Sequence, residues 1–171
     1  MTDLSTFPIT HKWPARYPGI SLAQPQQQDS GHPRPERSGQ FMPPDAALRY
    51  QTIQWLMWQL GGIGPMFGQL GFFHKFAGKD YEDKRPRDRY VAESKRLLGV
   101  LDQRLEGRAW IMGDAYTIAD IATFPWVRNL IGFYEAGDLV GMQDFPHVTR
   151  ALAAFVARPA VVRGLGIPQR A

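Results

Sequence analysis

The residues with the most chemical promise are a basic run, Lys84-Arg85-Pro86-Arg87-Asp88-Arg89, placed where a helix should begin. A helix start carries partial positive charge, so cations there are mildly disfavoured and an anionic partner would relieve them. The competing reading is a solvated rim in which Asp80, Glu82, Asp83 and Asp88 serve as local counter-charges. Asp114 and Asp120 are the other candidates, as paired carboxylates for acid/base work. Capping of a helix accounts for Asp120 and a turn for Asp114. His11, His32, His74 and His147 have no ligand spacing, so no metal site is expected. Cysteine is absent, which excludes disulfides, thiolate metal sites and a cysteine nucleophile, and fits a reducing cytoplasm. Without strands, the glycines between Gly61 and Gly71 are expected to permit a helix kink and close packing rather than cradle a phosphate.

Those residues need elements to hold them. With 171 residues, 44% of them hydrophobic, the chain has the material for one folded domain. Its formal charge of +4 is a small excess, better explained by a basic face than by nucleic-acid binding. No apolar run approaches the roughly 20 residues that cross a bilayer, and Met1-Thr2-Asp3-Leu4 lacks the basic and apolar regions of a secretory signal. No membrane or nucleic-acid partner is therefore expected, and a cytoplasmic location is.

Composition shifts near residue 40. Residues 1–40 hold six of the 14 prolines, and Ala23 to Gln40 contains no large apolar side chain, so this stretch is expected to be a disordered or extended tail. Phe7, Ile9, Trp13 and Tyr17 could dock on a surface, but the prolines between them oppose a helix. From there to residue 171 the pattern is all-α, a bundle of five or six helices.

Asp45 can cap a first helix on which Ile53, Leu56, Met57 and Leu60 follow helical spacing, with Trp55 and Trp58 widening the stripe. Gly61, Gly62, Gly64 and Pro65 end or kink it, and Met66 to Phe76 continues as an aromatic-rich helical piece. The clearest helix runs from about Pro86 to Leu105, with Gly107 as its stop. Thr117 and Asp120 form a capping box, over which Tyr116 and Ile121 sit as a hydrophobic staple. The apolar run that follows predicts a central helix buried on all sides. A helix from about Phe145 to Ala157 and a short one after Pro159 complete the pattern.

The segment Tyr116-Thr117-Ile118-Ala119-Asp120-Ile121-Ala122, with Pro125-Trp126 beyond it, resembles the signature of the glutathione transferase C-terminal domain. Gln54-Trp55-Leu56-Met57-Trp58-Gln59-Leu60-Gly61-Gly62-Ile63-Gly64-Pro65-Met66-Phe67-Gly68-Gln69 is similar to the bacterial nu class, glutathione-dependent disulfide-bond reductases related to the yeast prion nitrogen regulator. Ala157-Arg158-Pro159-Ala160-Val161 resembles the family's closing turn. The resemblance covers about residues 39–168 and implies glutathione as the substrate of the family.

It also assigns roles. Arg89, in the pair Arg89-Tyr90, takes the place of the arginine that reaches a glutathione carboxylate. Phe67, Gln69, Phe72, Phe73, His74 and Phe76 correspond to the wall of the electrophile pocket, with plain helix or dimer packing as the open alternative. The opening Met1 to Ala15 resembles the leader that precedes the family's thioredoxin-like domain, and Gly39 to Pro43 the segment that follows it. Only about Gln24 to Ser38 joins them. The resemblance therefore implies that the glutathione-activating domain is missing, by internal deletion or frame disruption. No catalytic residue is assigned, and glutathione is expected to bind weakly or not at all. Homo-oligomerisation, or pairing with a thioredoxin-like domain, is expected through an exposed patch of Trp55, Phe67, Phe72, Phe73 and Phe76.

Overall fold

The computed structural model describes residues 41–167. The expected tail, the docking candidates Phe7, Ile9, Trp13 and Tyr17, and His11 and His32 lie outside them. Six helices follow one another: α1 Ala46–Trp58, α2 Gly64–His74, α3 Arg85–Leu105, α4 Ile118–Arg128, α5 Pro146–Val156 and α6 Pro159–Leu165. Among the described residues there is no strand, and no helix is long and apolar enough to cross a membrane.

Each start follows from local chemistry. Asp45 accepts the Leu48 N–H at 2.9 Å and opens α1. Proline occupies the first turn of α2, α3, α5 and α6, where its missing donor costs nothing. The glycine–proline run does not end the first helix. A π turn over Gln59–Ile63 joins α1 to α2, with the Gly64 N–H donating to the Gln59 carbonyl five residues back. The wider turn re-registers the ladder just before Pro65, which has no amide hydrogen to give. A second π turn, Asn129–Phe133, prolongs α4. Gly107, at φ +65°, takes the left-handed conformation that stops α3.

The core is built mainly from Phe67 and Leu70 of α2, Leu97, Leu98, Leu101 and Leu105 of α3, Phe124 and Val127 of α4, and Val148 and Phe155 of α5. Helix α2 packs on α3, α3 on α5 and α1 on α4. Gly71 makes one of these approaches possible: a Cβ there would lie 2.7 Å from two ring carbons of Tyr134.

Three expectations are corrected. First, α4 is not buried all round. Ala119, Asp120, Thr123, Phe124 and Val127 are buried, whereas Ile121 (38% exposed), Pro125 and Arg128 form an open stripe four and three residues apart. Second, the α1 stripe is displaced: Thr52 is the buried residue of α1, while Met57 and Leu60 are exposed. Third, Phe67 is fully buried, and Trp55, Phe72 and Phe73 are half-buried, so of the expected aromatic patch Phe76 alone is exposed. Phe67 is taken into the core, and ring-on-ring packing covers the others, with Trp55 5.1 Å from Trp58 and Phe72 5.0 Å from Phe73 between centroids.

Candidate functional site

The turn before α4 shows how the sequence builds its most specific local structure. Thr117 has extended backbone and its hydroxyl accepts the Ala119 N–H at 3.3 Å. Asp120 Oδ2 accepts the Thr117 N–H at 2.8 Å and the Thr117 hydroxyl at 3.1 Å, closing the capping box. Its other oxygen, Oδ1, accepts the Ile111 N–H at 2.9 Å. That last bond was not legible from the spacing, because it joins two segments nine residues apart. Burial pushes the Asp120 carboxyl above the ordinary aspartate range, against the pull of these hydrogen bonds. Tyr116 and Ile121, the residues expected to form a staple, line a common cavity.

The basic run sorts itself by partner. Arg85 pairs with Asp83 at 2.8 Å and Arg87 with Asp88 at 2.7 Å, while Lys84 Nζ donates to the Lys79 carbonyl at 2.7 Å. The Arg85 guanidinium holds Asp83 below the usual carboxylate range. Arg89 is exposed and makes no ion pair among the described residues. Its guanidinium is thus the one in the run left with a free planar fork for a carboxylate. Tyr90, about 100° around the helix from it, stacks on Phe73 at 5.6 Å and 15°.

The aromatic residues assigned to a pocket wall divide into three environments. Phe67 is core and faces no open surface. Phe72 and Phe73 form a cluster with Tyr81 at 6.3 and 6.0 Å. Phe76, 43% exposed, gathers with Phe133 and Tyr134 at 5.9 and 6.0 Å. Gln69 is exposed, and His74 is half-buried with Nε2 3.4 Å from the Glu135 carbonyl. Lys75 reinforces that corner, pairing with Glu135 at 2.9 Å and donating to the Phe133 carbonyl at 2.6 Å. Glu135 is held at φ 58°, an uncommon conformation for a non-glycine residue. Among the described residues no three His, Asp or Glu side chains gather where they could hold a metal.

The described residues form an all-α bundle of six helices with a capping box at the head of α4. The chain belongs to the family of the glutathione S-transferase C-terminal domain, whose model matches residues 64–159. It is 38% identical over 131 residues to the disulfide-bond oxidoreductase YghU of Escherichia coli K12, a match covering 75% of this chain and 45% of that protein. It is 44% identical over 93 residues to the disulfide-bond oxidoreductase YfcG of the same organism, covering 54% of this chain and 42% of that one. Among solved structures, a glutathione transferase from Burkholderia graminis with two glutathione molecules bound per subunit superposes with a TM-score of 0.75 at 82% identity. That match covers 78% of this chain and 55% of the other. The chain spans about half the length of the curated relatives it matches.

Proposed function

We propose that this chain is a glutathione transferase helical module that does not turn over glutathione by itself. The observation that carries the reading is the poverty of its anion site. In the basic run at the head of α3 the described residues leave one guanidinium outside an ion pair, Arg89, and the reading assigns that run no paired donors aimed at a thiol. Lowering a thiol's pKa needs such donors or a nearby positive charge. One charge-assisted contact contributes about 1.5–3 kcal/mol. Immobilising a flexible tripeptide costs at least about 4 kcal/mol, so a single clamp does not overcome it. Arg89 in this reading binds a glutathione carboxylate only when a thioredoxin-like domain completes the site. Gln69, Phe72, Phe73, His74 and Phe76 then contribute to the electrophile wall, with Phe67 supporting it from the core. Self-association belongs to the same reading, but through the exposed Leu48, Tyr50 and Met57 of α1 and Leu60 of the π turn rather than the aromatic patch.

A second reading, an active transferase or disulfide-bond reductase working with a partner thioredoxin-like domain, is favoured by the glutathione held in the Burkholderia graminis relative. Calorimetry and a thiol-conjugation assay on the purified chain separate the two. The module reading expects no turnover and affinity weaker than about 0.1 mM, near −5.5 kcal/mol. Tighter binding, or turnover abolished by Arg89→Ala, overturns it.

A further inference from the structure

A cavity of about 400 Å³ opens between α4, α5 and α6, away from the basic run at the head of α3. That is within the range of about 300–1,000 Å³ typical of small-molecule sites. Its apolar wall includes Phe41, Tyr116, Ile121 and Phe155, and the open stripe of α4 forms one side of it. The mouth is tied down, because the Phe41 carbonyl accepts the Ile118 N–H at 3.0 Å.

Two cations stand in this apolar wall, Arg128 and Arg158, and among the described residues no carboxylate lines it. Neither arginine belongs to an ion pair among the described residues. Arg158 packs against aromatic rings, its guanidinium carbon 3.5 Å from the Tyr116 ring centroid and 5.6 Å from that of Trp110. Packing on a ring face leaves the in-plane N–H groups of a guanidinium available for a planar anion.

We propose that this cavity binds a small apolar carboxylate, an aromatic acid of naphthoate size, with its ring against Tyr116, Ile121 and Phe155 and its carboxylate on Arg128 and Arg158. Charge complementarity selects that class. A cation is repelled by both arginines. A neutral ring of the same shape gains the apolar contact but leaves the guanidinium groups without an anionic partner.

The test uses the full 171-residue chain and two probes, 2-naphthoic acid and the neutral 2-naphthalenemethanol. Calorimetry measures both, and quenching of tryptophan fluorescence supplies an independent signal, since Trp110 lies 4.8 Å from Tyr116. The acid should bind about tenfold more tightly than the alcohol, and Arg128→Gln should remove most of that preference. Ile121→Trp, at a position already 38% exposed, should block both probes while the helical circular dichroism stays at wild-type level. Arg158→Lys, which keeps the charge and loses the fork, should weaken the acid selectively. Equal affinity for acid and alcohol overturns the proposal, as does a preference indifferent to Arg128→Gln. Absence of saturable binding of the acid also overturns it, and would mean that the cavity is filled by the protein itself or by a second copy.

Discussion

Replacing Asp120 with alanine tests the local architecture most directly. The carboxylate accepts from the Ile111 N–H, the Thr117 N–H and the Thr117 hydroxyl, at 2.9, 2.8 and 3.1 Å. Ile111, Thr117 and Asp120 are all at most 1% exposed, so water does not stand ready to replace it. Leaving a buried donor without a partner costs about 1–3 kcal/mol, and two backbone donors are orphaned, a gross loss of about 2–6 kcal/mol. Part of this is returned, because the variant no longer buries a carboxyl that pays a desolvation penalty. A net loss of about 2–4 kcal/mol is expected. Removing the cap hydroxyl by Thr117→Ala should cost only about 0.5–2 kcal/mol. Urea denaturation followed by tryptophan fluorescence measures both, with an unchanged m-value showing that the unfolded state is not responsible. Amide exchange at Ile111 should accelerate in Asp120→Ala and not in Thr117→Ala. A loss for Asp120→Ala smaller than that for Thr117→Ala, or an Ile111 amide that stays protected, refutes the assignment of Asp120 as the bridge between the two segments.

Gly71→Ala should destabilise by about 1–3 kcal/mol through overpacking, since its Cβ would meet the Tyr134 ring at 2.7 Å. The double variant with Tyr134→Leu should lose less than the sum of the singles; strict additivity would show that the ring is not the obstacle. The pH dependence of Asp120 has a definite sign. Burial raises its folded pKa, so its contribution is complete below the unfolded value of about 3.9 and is lost as pH rises through the folded value. The stability gap between wild type and Asp120→Ala should therefore narrow from acid to neutral pH, and a widening gap would contradict the direction given. Sedimentation of the purified chain at about 10–50 μM, a range that detects interfaces near 7 kcal/mol, should show dimers or larger species. Leu60→Glu, at a residue 63% exposed on the open side of the helix junction, should shift them toward monomer.

Much of this protein was decided by residues close together in the chain. The all-α class, the Asp45 cap, the extent of α3, the Thr117–Asp120 box and the proline-headed α5 and α6 rest on contacts within one helical turn, which spacing alone specifies. Whether the glycine–proline run would end or kink its helix was not decided there, because a π turn and a terminus use the same residues. In the folded chain the run becomes a π turn over Gln59–Ile63 that continues directly into α2. Tertiary structure alone decided which apolar residues are core. Phe67 and Phe76 belong to the same aromatic stretch, yet one is fully buried and the other 43% exposed. Helical periodicity states which side chains share a face but not which neighbouring element covers that face. The same limit hid the Asp120–Ile111 bond and the pairing of Arg128 with Arg158 around one cavity. Residues nine or thirty apart meet only when the loops and helices between them have folded, and nothing in their spacing records that distance in space.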